Sequence, residues 1–95
     1  MIKAWKNERT RRVFENGNIR GFRGLDRTKA ENRLAALNVA KSLDDLGWLR
    51  SVGLHKLKGN RMGQWAMTVN GPWRVCFRFH KGHAYDVEIT NYHKG

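Results

Sequence analysis

Apolar positions in the C-terminal third of the chain recur at every second residue. Trp65, Met67 and Val69 alternate with Gln64, Ala66 and Thr68. Trp73, Val75, Phe77 and Phe79 alternate with Arg74, Cys76, Arg78 and His80, and Tyr85, Val87 and Ile89 alternate with Asp86, Glu88 and Thr90. A period of two belongs to half-buried strands. Asn70-Gly71-Pro72 and Lys81-Gly82-His83 separate the runs, which predicts a three-stranded antiparallel meander with one apolar and one polar face. Keeping apolar positions matched places Phe79 opposite Tyr85, Phe77 opposite Val87 and Val75 opposite Ile89, with a three-residue loop between the last two strands. A two-residue turn would set Phe77 against Asp86 and Val75 against Glu88. In the favoured register Arg78 faces Asp86 and Arg74 faces Thr90 on the polar side.

The first half of the chain has helical spacing instead. Trp5, Val13 and Phe14 supply one face of a short helix between Lys6 and Glu15, and Asn16-Gly17 reads as its stop. Asp26 caps a second helix reaching to about residue 41. Ala30, Leu34, Leu37 and Lys41 recur on one face, with Ala36 and Ala40 close by. Ser42-Leu43-Asp44-Asp45 has capping-box spacing and predicts a very short third helix that Gly47 would end. Helices packed on the apolar face of the antiparallel sheet make an α+β sandwich. No repeat, linker or low-complexity segment interrupts it, so residues 1–95 read as a single domain.

Length and charge narrow the class of function. A 95-residue chain with 40% hydrophobic and 28% charged residues is globular, burying roughly two-thirds of its unfolded surface. No stretch reaches the roughly 20 apolar residues of a membrane span, and Met1-Ile2-Lys3-Ala4-Trp5-Lys6 becomes charged too early for a secretory leader. A single cysteine, Cys76, excludes an internal disulfide, and the expected compartment is the cytoplasm. Nineteen Lys plus Arg against eight Asp plus Glu leave a net charge of +11 and a pI near 10.7. That surplus points to a polyanionic partner, nucleic acid first, then a membrane surface or an acidic protein.

Four histidines carry the candidate chemistry. His80 and His83 flank the second loop, but no carboxylate or second cysteine nearby completes a ligand set, so no metal is expected. His55 lies in the basic stretch Gly53-Leu54-His55-Lys56-Leu57-Lys58-Gly59-Asn60-Arg61, and His93 closes Asn91-Tyr92-His93. Read blandly, these are a solvated connector and a frayed last strand. Read as chemistry, they suit RNA cleavage by the neighbouring 2′-hydroxyl. That reaction takes a proton from the nucleophile, gives one to the departing 5′-oxygen, and places cations around the pentavalent phosphorus. His55 and His93 can move protons, Lys58, Arg61 and Arg74 can supply charge without a metal or cofactor, and Tyr92 can stack on a base. Lys56, Arg61 and Arg78 are candidate RNA contacts, and Arg9, Arg11, Arg12, Arg20 and Arg23 add further cations. Trp65 and Trp73 read as core, Trp48 as a brace for the 55–61 loop, and Cys76 as a small packing residue.

The stretch from Leu54 to Trp65 resembles the loop-to-strand signature of HigB-type toxins in the RelE superfamily. Asn70-Gly71-Pro72-Trp73-Arg74-Val75-Cys76-Phe77-Arg78-Phe79, Tyr85-Asp86-Val87-Glu88-Ile89 and Asn91-Tyr92-His93 are similar to the later strands and closing motif of that family. The likeness extends to Ile2-Lys3-Ala4-Trp5, Gly17-Asn18-Ile19-Arg20-Gly21 and Arg33-Leu34-Ala35-Ala36-Leu37, covering nearly the whole chain in order. It implies a RelE-like fold and a type II toxin that enters the ribosomal A site, beside ribosomal RNA, and cuts messenger RNA, leaving a cyclic phosphate and a free 5′-hydroxyl. It also implies a cognate helix-turn-helix antitoxin, through which alone operator DNA would be bound. Carried over by position, His55 and His93 are the acid–base pair, Lys58 and Arg74 phosphate contacts, and Tyr92 the partner of a nucleobase. Members end in Asp-Tyr-His, whereas this chain has Asn91, which keeps the shape of Asp without its charge or titratable proton.

Three readings are open to a chain of this kind. The first is a ribosome-dependent messenger-RNA endonuclease. The second, motivated by Asn91, is a weakened homologue that binds RNA or antitoxin without cutting. The third, a basic operator-binding protein acting alone, ranks last because the helix near 26–41 lacks a helix-turn-helix companion.

Overall fold

A computed structural model of the chain describes residues 1–46 and 53–91. Helix α1 (Glu8–Asn16) begins where the Asn7 side chain accepts a hydrogen bond from the Thr10 backbone N–H at 3.0 Å. It ends at Gly17, whose φ of 66° is the left-handed turn that returns its N–H to the Val13 carbonyl. Helix α2 (Arg27–Val39) is capped by Asp26, which accepts from the Lys29 N–H at 3.0 Å. Its buried stripe is Ala30, Leu34 and Leu37, with Ala40 just beyond the end. Lys41 does not join that stripe, because the backbone becomes extended at Ala40 and the lysine is exposed. The expected third helix is a single 3-10 turn over 43–46, where the Asp45 carboxylate accepts from the Ser42 N–H at 3.2 Å. Gly47 and Trp48 lie outside the described residues.

The sheet has four antiparallel strands in the order β1-β2-β3-β4, namely β1 (His55–Lys56), β2 (Trp65–Asn70), β3 (Trp73–His80) and β4 (His83–Thr90). Strand β1 corrects the reading of 53–61 as a connector. Two residues are too few to show a period, and pairing with Ala66 and Trp65 alone makes them a strand. On the far side, residues 1–6 run parallel to β4. The Lys3 N–H donates to the Ala84 carbonyl at 2.8 Å and the Lys6 N–H to Val87 at 2.9 Å, which covers that edge.

The β3–β4 hairpin corrects the expected register. His80 pairs with His83 and Phe79 with Ala84, so the connection is the two residues Lys81-Gly82, with φ of 47° and 81°. Two successive positive φ values are what a type I′ turn requires, and its twist suits antiparallel strands. At the far end of the ladder, Val75 pairs with Ile89 and Arg74 with Thr90, as the alternation predicts. A β-bulge reconciles the two halves: Phe77 stands between the pairs Cys76↔Glu88 and Arg78↔Tyr85, opposite both Asp86 and Val87. Asp86 adopts φ 52°, the left-handed conformation of a bulge residue. A two-residue turn and an apolar match across the strands are thus both satisfied. Tyr85 leaves the apolar face, where Ala84 is buried instead, and pairs with Arg78 on the other side.

Both helices pack on one face of the sheet, α2 against β2, β3 and β4, and α1 against β4. Val13, Leu34, Leu37, Met67, Val75, Phe77, Val87 and Ile89 are fully buried between the layers. The architecture is therefore the expected α+β sandwich. One polar group crosses it: buried Thr10 donates to the Asn7 side chain at 2.7 Å and accepts from the Ile89 N–H at 3.1 Å, joining α1 to β4. Among the described residues no helix is long and apolar enough to cross a membrane.

Candidate functional site

The face of the sheet turned away from the helices carries the candidate chemistry. His55 pairs with Ala66, Ala66 with Cys76, and Cys76 with Glu88, so these four side chains form one row across the sheet. The adjacent row holds Thr68, Arg74 and Thr90, and on the other side lie Gln64, Arg78 and Tyr85. Small buried side chains, Ala66 and Cys76 with Leu57 beside them, make a low apolar floor under the polar groups. Strands β1 and β3 are two spacings apart, about 10 Å. Among the described residues, Ala66 and Thr68 of β2 lie between His55 and Arg74, so the side chains between the two are small.

The side chains on this face are held in defined ways. The His55 Nδ1 lies 2.7 Å from the Gly53 carbonyl, which can only accept, so Nδ1 carries a proton and Nε2 is the basic nitrogen of the neutral ring. Arg74 donates through Nη1 to the Gly71 carbonyl at 2.8 Å and to its own neighbour Trp73 at 3.0 Å, which anchors the guanidinium at the β2–β3 turn. Lys58 precedes the 3-10 turn Gly59–Arg61, and its exposed ammonium has no partner among the described residues. Arg61, at the end of that turn, reaches Gln64 at 3.2 Å and Glu88 at 3.4 Å. Arg78 lies 3.4 Å from Asp86 and donates to the Met62 carbonyl at 3.3 Å. A polar cavity of about 300 Å³ opens between Arg61, Gln64, Arg78, Asp86 and Glu88. Burial pushes the Cys76 thiol up to about 11, a shift that Arg61 and Arg74 oppose and Glu88 reinforces. The thiol is therefore neutral packing, as the sequence suggests.

His55, Arg61, Arg74 and Arg78 thus share one face, with Lys58 at its border. Lys56 does not join them. As the neighbour of His55 in β1 it points the other way, with its ammonium 5.8 Å from the centre of the Trp65 ring. Asn91 is exposed and comes directly after Thr90, the partner of Arg74, so the chain leaves the sheet beside that arginine. Tyr92 and His93 lie outside the described residues. Trp73 is core, and its indole donates to the Arg23 carbonyl, while Trp65 is half-buried against the core. His80 and His83 are a cross-strand pair beside the turn. Among the described residues no three His, Cys, Asp or Glu side chains gather as a metal would need. Two groups escaped the sequence reading. Glu88 already alternated onto the polar side, but its pairing with Arg61 spans 27 residues. Tyr85 carried no signal, because the bulge that turns it is invisible in the alternation.

Helices on one face of a four-stranded antiparallel sheet, with an imidazole and several guanidinium groups on the other, define a RelE-like α+β domain. Comparison with known proteins places it further. A family model described as the RelE-like toxin of the type II toxin–antitoxin system HigB matches residues 3–93. The protein named Endoribonuclease HigB from Proteus vulgaris is 36% identical over 93 residues, which span 98% of this chain and 100% of that protein. The chain belongs to the HigB-like toxin family.

Proposed function

We propose that this toxin is a ribosome-dependent endoribonuclease that cuts messenger RNA in the ribosomal A site without a metal ion. The observation that carries the reading is the open face of the sheet, where His55 and Arg74 flank the small floor of Ala66 and Cys76. The name of the Proteus vulgaris relative supplies RNA cutting as the reaction class. In this reading the 2′-oxygen attacks phosphorus as its proton passes to a histidine. The bond to the 5′-oxygen breaks, that oxygen takes a proton from the second histidine, and a 2′,3′-cyclic phosphate remains. His55, whose Nδ1 is oriented by the Gly53 carbonyl, is assigned one of these transfers, and His93 the other. Arg74 and Lys58 offset charge on the phosphorane, Arg61 and Arg78 hold the flanking backbone, and Tyr92 stacks on a base. No electron or group carrier enters the balance, so no cofactor is assigned. A cognate helix-turn-helix antitoxin completes the module and alone contacts operator DNA, in the cytoplasm.

A cell-free translation reaction with primer extension as its readout tests this. Cuts within message bound to ribosomes are expected, and they should persist when free divalent ions are lowered as far as the ribosome tolerates. Intact message where a known toxin cuts refutes the reading. Asn91, exposed beside the Arg74 row, favours a second reading in which the chain binds RNA or antitoxin without cutting. Native activity with an altered pH profile in Asn91→Asp supports the nuclease, whereas an inert native chain and an active Asn91→Asp variant support the second reading.

A further inference from the structure

The segment between the helices, residues 17–25, is basic and unusually well anchored. The Asn70 side chain accepts from the Asp26 N–H at 2.8 Å and donates to the Gly24 carbonyl at 2.9 Å, while the Trp73 indole donates to the Arg23 carbonyl at 2.9 Å. Phe22 and Leu25 are buried, and Phe22 meets Trp73 edge-on at 5.4 Å. Arg9 of α1 lies 4.7 Å from the Phe22 ring centre and donates to the Gly21 carbonyl at 3.4 Å. The loop thus turns its apolar side chains inward and leaves Arg20 and Arg23 exposed on a fixed backbone.

The neighbouring acids are engaged elsewhere. Arg11 takes Glu8 and Glu15, Glu31 faces Arg27, and Asp26 caps α2. Among the described residues, no carboxylate pairs with Arg9, Arg20 or Arg23. Arg9 packs on Phe22, but the charges of Arg9, Arg20 and Arg23 are offset by no carboxylate among the described residues, so a polyanion is the natural partner. A protein partner would need apolar anchors. The exposed large hydrophobics among the described residues, Met1, Val39 and Met62, all lie outside the loop. Guanidinium forks match phosphate oxygens. The turn that anchors this loop through Asn70 and Trp73 also holds Arg74, through the carbonyls of Gly71 and Trp73.

We propose that Arg20 and Arg23, with Arg9 behind them, form a second RNA-backbone contact tied to the same hairpin as Arg74. This rests on the proposed function for its partner, RNA, but not on cutting. The test measures binding of the full chain between 50 and 200 mM salt to two probes, a 2′-O-methylated single strand of about 30 nucleotides and ribosomes without message. Each lost phosphate contact lowers the log–log salt slope by about 0.7 on a single strand, so Arg20→Gln with Arg23→Gln should lower it by about 1.4. Extrapolated from 1 M salt, affinity then falls about tenfold at 200 mM and about seventyfold at 50 mM. A change with the single strand alone assigns the loop to message, a change with ribosomes alone to ribosomal RNA, and either supports the proposal. Arg20→Lys with Arg23→Lys should keep most of the slope, and Arg27→Gln, on α2, should keep all of it.

Native slope and affinity of the double glutamine variant on both probes would overturn the proposal. Loss confined to antitoxin binding would overturn it in favour of a protein contact. Cutting measured in parallel separates the two readings. A native chain that binds RNA without cutting sinks the nuclease alone, whereas one that cuts while the double variant binds normally sinks the second contact alone.

Discussion

Replacing Thr10 by valine tests the polar tie between α1 and β4. Valine matches threonine in shape, so packing is conserved and only the hydroxyl is lost. That hydroxyl accepts from the Ile89 N–H at 3.1 Å in a fully buried setting and donates to the Asn7 side chain at 2.7 Å. Its removal leaves a buried N–H without an acceptor, which costs about 1–3 kcal/mol, and deletes a second bond worth about 1 kcal/mol. The Asn7 side chain keeps the bond from the Thr10 N–H, so the helix cap survives. We expect a loss of about 2–3 kcal/mol. With m near 1–1.5 kcal/mol/M, the urea midpoint should fall by about 2 M at unchanged m, and the melting temperature by at least about 10 °C. Thr10→Ser keeps the hydroxyl and should recover more than half of that loss. A Thr10→Val midpoint within about 0.3 M of the native one would show that the buried bond contributes nothing net, and the reasoning would fail.

Other expectations concern the hairpin, the floor and the open face. Asp86→Val forces a β-branched residue into φ 52° and should destabilise by about 1–3 kcal/mol in urea titrations, whereas Asp86→Gly, which trades an exposed ion pair for an easy backbone, should stay within about 1 kcal/mol of native. The Cys76 thiol, raised by burial from its ordinary 9.0 to about 11, ionises more readily in the unfolded chain. Stability should therefore fall between about pH 9 and 11, by up to about 2–3 kcal/mol, and Cys76→Ala should be flatter across that window in pH-dependent unfolding. Arg74→Ala should slow cutting about 100- to 1,000-fold in the ribosome assay, with Arg74→Lys recovering only part, because an ammonium keeps the charge but not the planar fork. Equal rates for Arg74→Ala and the native chain would remove Arg74 from the site.

Most of the fold was legible because it rests on local periodicity and end signals. Alternating apolar residues in 65–69 and 73–79 place β2 and β3, and Gly17 and Asp26 carry their own backbone or side-chain reasons for stopping one helix and starting the next, whereas the Asn7 cap emerged only with the structure. The open face was legible in part for the same reason: Arg74, Cys76 and Arg78 alternate with core residues, so one face of β3 was already basic. His55 was already a proton-transfer candidate from its basic stretch, and the family resemblance assigned it an acid–base role.

What the chain order alone could not determine depended on contacts between distant residues. The bulge at Asp86 exists because a two-residue type I′ turn and an apolar match further along β4 can both be met only by adding one residue to that strand. Alternation counts residues and does not weigh a turn against a packed core, so it favoured the longer loop and put Tyr85 on the wrong side. In the same way, β1 is a strand only because β2 lies beside it. That pairing sends Lys56 toward Trp65 and leaves His55 facing the floor. Short-range patterning determined which residues would be buried and which basic; long-range hydrogen bonding decided which basic residues share a surface, since strand pairing is a property of two segments at once.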